Sequence, residues 1–569
     1  MHLTMQSSNE PQFGPQQVYF KAIVISAITT ALLIIFEIYE FSNYYSRYNF
    51  AATIQSGEYV QPIKLLTLGV PSYILSALFL FCALVSPYRY RIGYFLFFSL
   101  SVLSEYSYQA NFERFTVSED LANILFAADE RVIYNSAAQY FDPTSLLPCF
   151  AVGVLFILVK PAAKSGLKHL AFLLITFLGF FTFTAYFSSN WYPSTASNAL
   201  FRTVTAFPIN WYAGSLTMPA LSTFYHTSRE TIPIIATEKP SKNIVFIVDE
   251  SVRADHLSLN GYSRKTTPSL DDLNQKGFVQ NWGIAVSGTT CSVTSNNLLL
   301  TGVTELPDIT GRIYQYPTIF QYAKAMGYKT HYIDGQMTYR WLGKSTDIQD
   351  FDEWTTPREL NQENWFDVDR EIANRVRTIT ENSTGNFIWI NKFGVHAPYF
   401  DSYPQSETVW QPVPANGSEF SLRWPARKSG LDINNYDNAV LYNSKSFFTA
   451  LIGGSPPKDT YYVYTSDHGQ NLGEDGKTLT HCSSTLYEAM VPLFIISQPG
   501  QMPAADTSYK ASHANIFATL LDLIDYPEDR RRPYALSILK ARGADSKQRY
   551  YFEGNLNSRF ANSLNLFDK

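Results

Sequence analysis

The chain has 569 residues, enough for two or three domains. Hydrophobic residues make up 46% of it and charged residues only 16%, and this average combines two unlike halves. A net charge of −5 without any basic block argues against nucleic acid as a partner.

The first half begins with five apolar segments whose lengths approach a bilayer span. They lie at residues 20–39, 63–86, 92–108, 145–159 and 169–187. The first segment cannot be dismissed as a cleaved signal sequence, because four more segments follow it. The sequence therefore predicts a five-span transmembrane domain over residues 1–187.

Basic residues give the expected orientation of these segments. Arg89 and Arg91 lie between the second and third segments, and Lys160, Lys164 and Lys168 lie between the fourth and fifth. Short basic loops stay in the cytoplasm, so everything after the fifth segment should lie outside it. In a bacterium this predicts a multi-pass protein of the inner membrane with its C-terminal part in the periplasm.

The second half begins with a connector and continues as an α/β domain. Residues 188–240 contain aromatic pairs and predict short amphipathic helices at the membrane interface. Residues 241–569 alternate strands with helices, which predicts a mostly parallel sheet covered by helices on both faces. The strands are expected at 243–248, 329–333, 386–390, 461–465 and 492–497, and the helices at 317–326, 368–380, 437–451 and 513–524.

Two of the predicted strands end in residues that bind metals. The first strand is followed by Asp249 and Glu250, and the fourth by Asp467 and His468. Ligands bind at the carboxyl ends of strands in such sheets, so the two clusters should converge. Carboxylates with an imidazole suit a divalent metal better than a packing role.

Several motifs around these clusters closely resemble one family. They are ESVRADHLS from Glu250, GYSRKTTP from Gly261, GVHAPYFDSYP from Gly394, YDNAVLY from Tyr436 and SDHGQNLGEDG from Ser466. Together with five spans before an external domain, they resemble the membrane-bound phosphoethanolamine transferases of the alkaline phosphatase and sulfatase superfamily. The resemblance implies a metal-dependent enzyme with a sulfatase-like catalytic domain.

The resemblance also implies roles for individual residues. Glu250, Asp467 and His468 would bind the metal, zinc in most of the family, with manganese as the alternative. His396 and His481 would hold the transferred phosphate or protonate the leaving group, and Arg340 falls where the family often has a lysine that binds substrate. A phosphodiester needs its negative charge neutralised, and a metal, imidazoles and a guanidinium supply that.

The nucleophile lies in the segment SGTTCSVTSNNLLLTG, which starts at Ser287. Counting back ten residues from Gly302, as in sulfatases, gives Ser292, which would also contact the metal. Counting forward from Gly288 gives Thr290 instead. We favour Ser292, because the nucleophile should open the helix whose N-terminus faces the phosphate.

The implied reaction moves phosphoethanolamine from phosphatidylethanolamine in the membrane, through a covalent phospho-enzyme, to lipopolysaccharide or another envelope glycan. Two alternatives stay open: a phosphoglycerol transferase that uses phosphatidylglycerol, and a non-catalytic sulfatase-like regulator that binds lipid. The Cys-x-Pro-x-Arg signature of formylglycine sulfatases is absent, as are cysteines that cross-link many of the transferases. Cys291 and Cys482 each adjoin candidate site residues, which leaves a bridge between them open.

Overall fold

The structure, a computed structural model, describes residues 15–40, 60–112, 141, 143–162, 166–187, 200, 229–236, 238–304, 312–313, 315–336, 348–360, 364–413, 429–474, 481–501, 504–543, 549–554 and 564–568. Contacts divide the chain into two units. The N-terminal unit comprises Met1–Phe126 and Tyr140–Thr217, and the C-terminal unit comprises Ala127–Gln139 and Met218–Lys569. Most of the predicted connector at 188–240 lies outside the described residues.

Five long or apolar helices make up the described part of the N-terminal unit. They are α1 (Pro15–Glu40), α2 (Val60–Val85), α3 (Tyr88–Phe112), α4 (Leu146–Leu158) and α5 (Leu167–Phe187). Each predicted apolar segment falls on one of them, so their helical character is confirmed. Among the described helices, the stretch Gln16–Ile35 alone is long and apolar enough to cross a membrane, and Pro71–Val85, Pro143–Leu158 and Leu167–Gly179 are shorter apolar helices. That all five cross a membrane stays a prediction.

Arg91, which the sequence predicts to lie in a loop, is in the first turn of α3 and has a structural role in this unit. Its side chain is only 3% exposed. The guanidinium donates to the carbonyl oxygen of Ser86 at 2.9 Å and of Val159 at 2.6 Å, and also to those of Leu84 and Phe156. It thereby satisfies carbonyl groups at the C-terminal ends of α2 and α4, where a positive charge is favoured.

The C-terminal unit is built on a seven-stranded sheet of order β2-β7-β6-β1-β5-β3-β4. Its strands are β1 (Asn243–Asp249), β2 (Val279–Val286), β3 (Lys329–Asp334), β4 (Glu353–Thr355), β5 (Asn386–Asn391), β6 (Thr460–Ser466) and β7 (Met490–Ile496). The five predicted strands are all present. The sheet is mixed, because β7 runs antiparallel to both of its neighbours.

Helices cover both faces of this sheet, as predicted. They are α6 (Pro268–Gln275), α7 (Ser292–Thr301), α8 (Ile319–Ala325), α9 (Trp365–Asn382), α10 (Ser429–Ile452) and α11 (Ala514–Leu523). Alternate residues of β1 enter two different cores: Phe246 packs with residues of α7, α8 and α11, and Ile247 packs with residues of α6, α9 and α10. Burial on both faces explains why β1 is a continuous apolar run.

A small antiparallel pair, β8 (Tyr550–Phe552) and β9 (Leu564–Leu566), completes the described strands. Phe552 forms an isolated parallel bridge with Thr289, just before α7. The C-terminal segment therefore contacts the chain that leads into this helix.

Candidate active site

The candidate site forms where β1 and β6 end side by side. The two strands are parallel and pair Asp249 with Ser466, so the next residues, Glu250 and Asp467, emerge at the same edge of the sheet. The N–H of Asp467 extends this pairing by donating to the carbonyl oxygen of Asp249 at 2.9 Å. The two predicted clusters therefore converge, as their strand-end positions indicated.

Glu250, Asp467 and His468 each offer a ligand atom, and these atoms all lie within 4.8 Å of one another. His468 Nε2 is 3.5 Å from Glu250 Oε1 and 3.5 Å from Asp467 Oδ2. Two ligands at zinc distances of a tetrahedral ion lie roughly 3.3 Å apart, so the observed spacing fits such an ion. We call these three residues the triad.

Hydrogen bonds fix the side chains of two members of the triad, Asp467 and His468. Asp467 Oδ1 accepts from the N–H groups of Ser251 at 3.1 Å and His468 at 2.7 Å, whereas its buried Oδ2 has no hydrogen-bond partner among the described residues. His468 Nδ1 lies 2.6 Å from the carbonyl oxygen of Gly469, so Nδ1 donates and Nε2 keeps its lone pair. A cation would supply the partner that Asp467 Oδ2 lacks.

The protonation of the triad also indicates a cation. Burial, followed by the charge of Glu250, raises the pKa of Asp467 well above its ordinary value. Burial by itself would also raise the pKa of Glu250, but the charges of three nearby imidazoles have the larger combined effect and lower the pKa to about 2. They belong to His468, His396 and His481. Two buried carboxylates this close share a proton unless a metal ion replaces it.

Ser292 is the hydroxyl that reaches the triad. It is the first residue of α7, and its Oγ lies 2.9 Å from His468 Nε2 and 3.5 Å from Glu250 Oε2. The helix ends at Thr301, and the next residue, Gly302, is its C-cap with a φ of +66°. Ser292 therefore lies at a helix N-terminus, where an anionic phosphate would be stabilised. Its role as the nucleophile stays a prediction.

The hydroxyl of Thr290 is engaged elsewhere. It donates to the carbonyl oxygen of Ser483 at 2.8 Å and accepts from the N–H of Gly554 at 2.9 Å. The structure therefore brings Ser292 to the triad and holds Thr290 in contacts with other segments.

The two predicted histidines border the site. The ring of His481 stacks on that of His468, with centroids 4.4 Å apart and planes at 24°. His396 is partly buried, stacks on Phe393 and has its Nδ1 2.6 Å from the carbonyl oxygen of Ala397. Arg340 lies outside the described residues.

Asp249 faces away from the triad, although it ends the same strand. Its Oδ2 accepts from the ammonium of Lys392 and from the hydroxyl of Tyr464, the latter at 2.7 Å. Lys392 is fully buried and also donates to Asn443. This charged group lies beneath the site and supports β1 from the neighbouring strand.

Two side chains that contact Glu250 were not singled out from the sequence. Ser251 donates to Glu250 Oε1 at 2.6 Å, and Gln336 donates through Nε2 to Glu250 Oε2 at 3.1 Å and to the carbonyl oxygen of Lys392 at 2.7 Å. Gln336 comes two residues after the end of β3. Its strand-end position was the available signal, because β3 ends at the same edge of the sheet as β1 and β6.

Cys291 and Cys482 form a disulfide, with their Cα atoms 4.6 Å apart. The bridge left open by the sequence is therefore present. It connects the residue before Ser292 with the residue after His481.

Several known proteins resemble this chain. The sequence model of the sulfatase family matches residues 242–526, half of the chain. The phosphatidylethanolamine transferase Mcr-1 of Escherichia coli is 26% identical over 323 residues, which cover 54% of this chain and 58% of that protein. The Kdo(2)-lipid A phosphoethanolamine 7''-transferase of Salmonella typhimurium is 25% identical over 235 residues, or 41% and 39% of the two chains. The chain thus spans about half the length of the curated relatives it matches.

A solved structure supports the fold over a longer stretch. The lipooligosaccharide phosphoethanolamine transferase A of Neisseria meningitidis, an integral membrane protein, superposes with a TM-score of 0.54 at 19% identity, covering 89% of this chain and 95% of that one. The resemblance to phosphoethanolamine transferases predicted from the motifs is thereby confirmed. On the strength of the match over residues 242–526, this chain belongs to the sulfatase family.

Proposed function

We propose that this protein transfers phosphoethanolamine from phosphatidylethanolamine to a hydroxyl or phosphate group of lipopolysaccharide or another envelope glycan. The observation that carries the proposal is the position of Ser292 Oγ, 2.9 Å from His468 Nε2 at the edge of a buried triad. The names of the relatives, which are transferases of the same group, support the choice of phosphoethanolamine.

In the proposed reaction, Ser292 Oγ forms a bond to phosphorus while the bond from phosphorus to the oxygen of diacylglycerol breaks. The serine proton is released to solvent, and His396 or His481 supplies a proton to the departing oxygen and regains one from solvent. The acceptor oxygen then attacks the phosphorus of the phosphoethanolamine ester on Ser292. The bond from phosphorus to Ser292 Oγ breaks, the acceptor loses its proton, and Oγ takes up a proton that restores the hydroxyl. This sequence separates one difficult transfer into two steps.

Glu250, Asp467 and His468 would hold a zinc ion, with manganese as the alternative. Zinc bound there would lower the pKa of a coordinated hydroxyl and neutralise phosphodiester charge. Gln336 and Ser251 would orient Glu250 through their hydrogen bonds, a support of the kind that metal-binding carboxylates usually receive. Arg340 would bind the phosphate of the substrate.

We further propose a location in the bacterial inner membrane, with five spans in residues 1–187, a connector at 188–240 and a periplasmic catalytic domain at 241–569. The five helices supply the hydrophobic part of this arrangement. The disulfide between Cys291 and Cys482 supports the location, because structural disulfides persist in oxidising compartments such as the periplasm.

The test compares Ser292→Ala with Thr290→Ala in the full-length protein reconstituted in vesicles that contain labelled phosphatidylethanolamine and lipopolysaccharide. Ser292→Ala should abolish transfer and the peptide that carries phosphoethanolamine on serine, detected by mass spectrometry, while its zinc content stays near one ion per chain. Thr290→Ala should keep that modified serine. Phosphoethanolamine on Thr290 would reverse the assignment, and transfer only in parallel vesicles that contain labelled phosphatidylglycerol would replace the proposed donor.

A further inference from the structure

The disulfide between Cys291 and Cys482 joins the segment of the proposed nucleophile, Ser292, to the segment of His481, one of the two proposed proton donors. Cys291 is the N-cap of α7, whose first residue is Ser292. Cys482 directly follows His481, and the two cysteines are 191 residues apart in the sequence. Cys291 is 1% exposed and Cys482 is 9% exposed, so the cross-link lies inside the protein.

Hydrogen bonds tie the same two segments together. The N–H of Cys482 donates to the carbonyl oxygen of Thr290 at 2.7 Å, and the hydroxyl of Thr290 donates to the carbonyl oxygen of Ser483 at 2.8 Å. Cys482 itself has a φ of +66°, in the left-handed region that residues with a side chain rarely adopt. Such a conformation persists when its surroundings hold it in place.

The triad does not depend on this cross-link. Glu250 and Asp467 are held by the pairing of β1 with β6, and His468 is held by Gly469. The segment after Cys482 has its own support, because the buried carboxylate of Glu488 accepts from the N–H of Ser483 at 2.7 Å and the hydroxyl of Thr485 at 2.9 Å. The disulfide therefore adds a covalent link between two segments that hydrogen bonds also join.

We infer that the Cys291–Cys482 disulfide is a positioning element that sets the distance between Ser292 and His481, so that reducing it slows phosphoryl transfer without removing the metal. This inference rests on the proposed function. Ser292 would attack phosphorus on one side while His481 protonates the leaving oxygen on the other, so both must hold one geometry. A misplacement of about 1 Å in such a pair costs about 100-fold in rate.

The experiment uses the full-length protein with Cys82→Ala and Cys149→Ala, because these two buried cysteines lie outside the disulfide. The reductant is tris(2-carboxyethyl)phosphine, which has no thiol group to bind zinc. The disulfide and one water molecule give two thiols, and the phosphine is oxidised to its phosphine oxide. Mass spectrometry after alkylation counts the thiols. Turnover of labelled phosphatidylethanolamine should fall about 10- to 100-fold on full reduction, with zinc content unchanged, and should return on reoxidation.

A second variant, Cys291→Ala with Cys482→Ala, should reproduce the reduced state. Hydrogen exchange in peptides over residues 290–294 and 481–488 should quicken on reduction, and exchange in β1 should not. Unchanged turnover and exchange after complete reduction would overturn the inference, as would loss of zinc in parallel with activity. If the oxidised protein transfers nothing at all, the proposed function fails, and the exchange measurement still tests whether the cross-link holds the two segments together.

Discussion

Replacing Gly394 with alanine should weaken zinc binding while leaving the sheet folded. Gly394 has a φ of +61°, and a Cβ added to it would lie 2.3 Å from Asp249 Oδ1 and 2.7 Å from the backbone nitrogen of Glu250. Gly394 cannot move away from these atoms, because two hydrogen bonds hold the backbone here. Its N–H donates to Asp369 Oδ2 at 2.9 Å, and the N–H of the next residue donates to the carbonyl oxygen of Glu250 at 3.1 Å. The new methyl group must therefore displace the chain that carries Glu250.

The magnitude follows from these distances. The left-handed conformation alone costs an alanine about 1–2 kcal/mol. The distance to the carboxylate of Asp249 is roughly 1 Å short of an ordinary contact, and the distance to the nitrogen of Glu250 roughly 0.7 Å short. Metal–ligand distances tolerate only about 0.2 Å. We therefore expect the affinity for zinc to fall about 10- to 100-fold, the loss typical when the support of a metal ligand is disturbed.

Gly453 provides the matched control. Its φ is also +61°, but a Cβ there would meet only the guanidinium of Arg377, at 3.2 Å, which can move aside. Both variants should lose similar stability to backbone strain, and Gly394→Ala alone should lose zinc, as measured by competition with a chromogenic chelator. Equal zinc affinity in the two variants would refute the proposed link between Gly394 and Glu250.

Three further outcomes are expected from the full-length protein. Lys392→Met should lower the free energy of unfolding of the C-terminal unit by about 3–5 kcal/mol, because it leaves Asp249 buried without its cation. Thermal denaturation measures this loss, and a double variant that also carries Asp249→Asn should recover most of it. Burial lowers the pKa of His513 to about 3, so below about pH 6.5 the unfolded chain binds a proton that the folded chain does not, and stability falls with pH by about 1.4 kcal/mol per unit. In His513→Gln the free energy of unfolding should fall less steeply between about pH 6.5 and pH 4. Equal slopes in the variant and the parent protein would show that His513 is not the cause of the decline. Returning zinc to chelated protein at about 100 times its Kd should add about 2.7 kcal/mol of stability, and Glu250→Gln should show much less of this gain at the same zinc concentration.

The strands that carry the triad could be predicted because their sequences are determined by burial. β1 and β6 lie in the middle of the sheet and read as continuous apolar runs. β2 was not predicted, since Gln280, Asn281 and Gly283 interrupt its pattern and a register shift follows Asn281. Such an irregular strand at the edge of a sheet has no clear periodic signal.

The site residues also divide into those that local sequence predicts and those that it does not. The position of Ser292 followed from counting within one helix, which is a local relation. The pairing of Asp249 with Lys392 joins residues 143 apart in the sequence, and nothing in either segment indicates the other. Gln336 likewise contacts Glu250 from a different strand end. Contacts of this kind depend on the order of strands in the sheet, which the sequence alone does not specify.

The parallel pairing of β1 with β6 also determines how this site can change during evolution. Glu250 and Asp467 face each other because two seven-residue strands are in register, and the chain between them plays no part in that alignment. Insertions in the connecting segments lengthen loops and leave the triad intact. A single residue inserted within either strand would turn every later side chain to the opposite face and dismantle the triad. Descendants of this protein can therefore vary the loops around the site while inheriting the same triad.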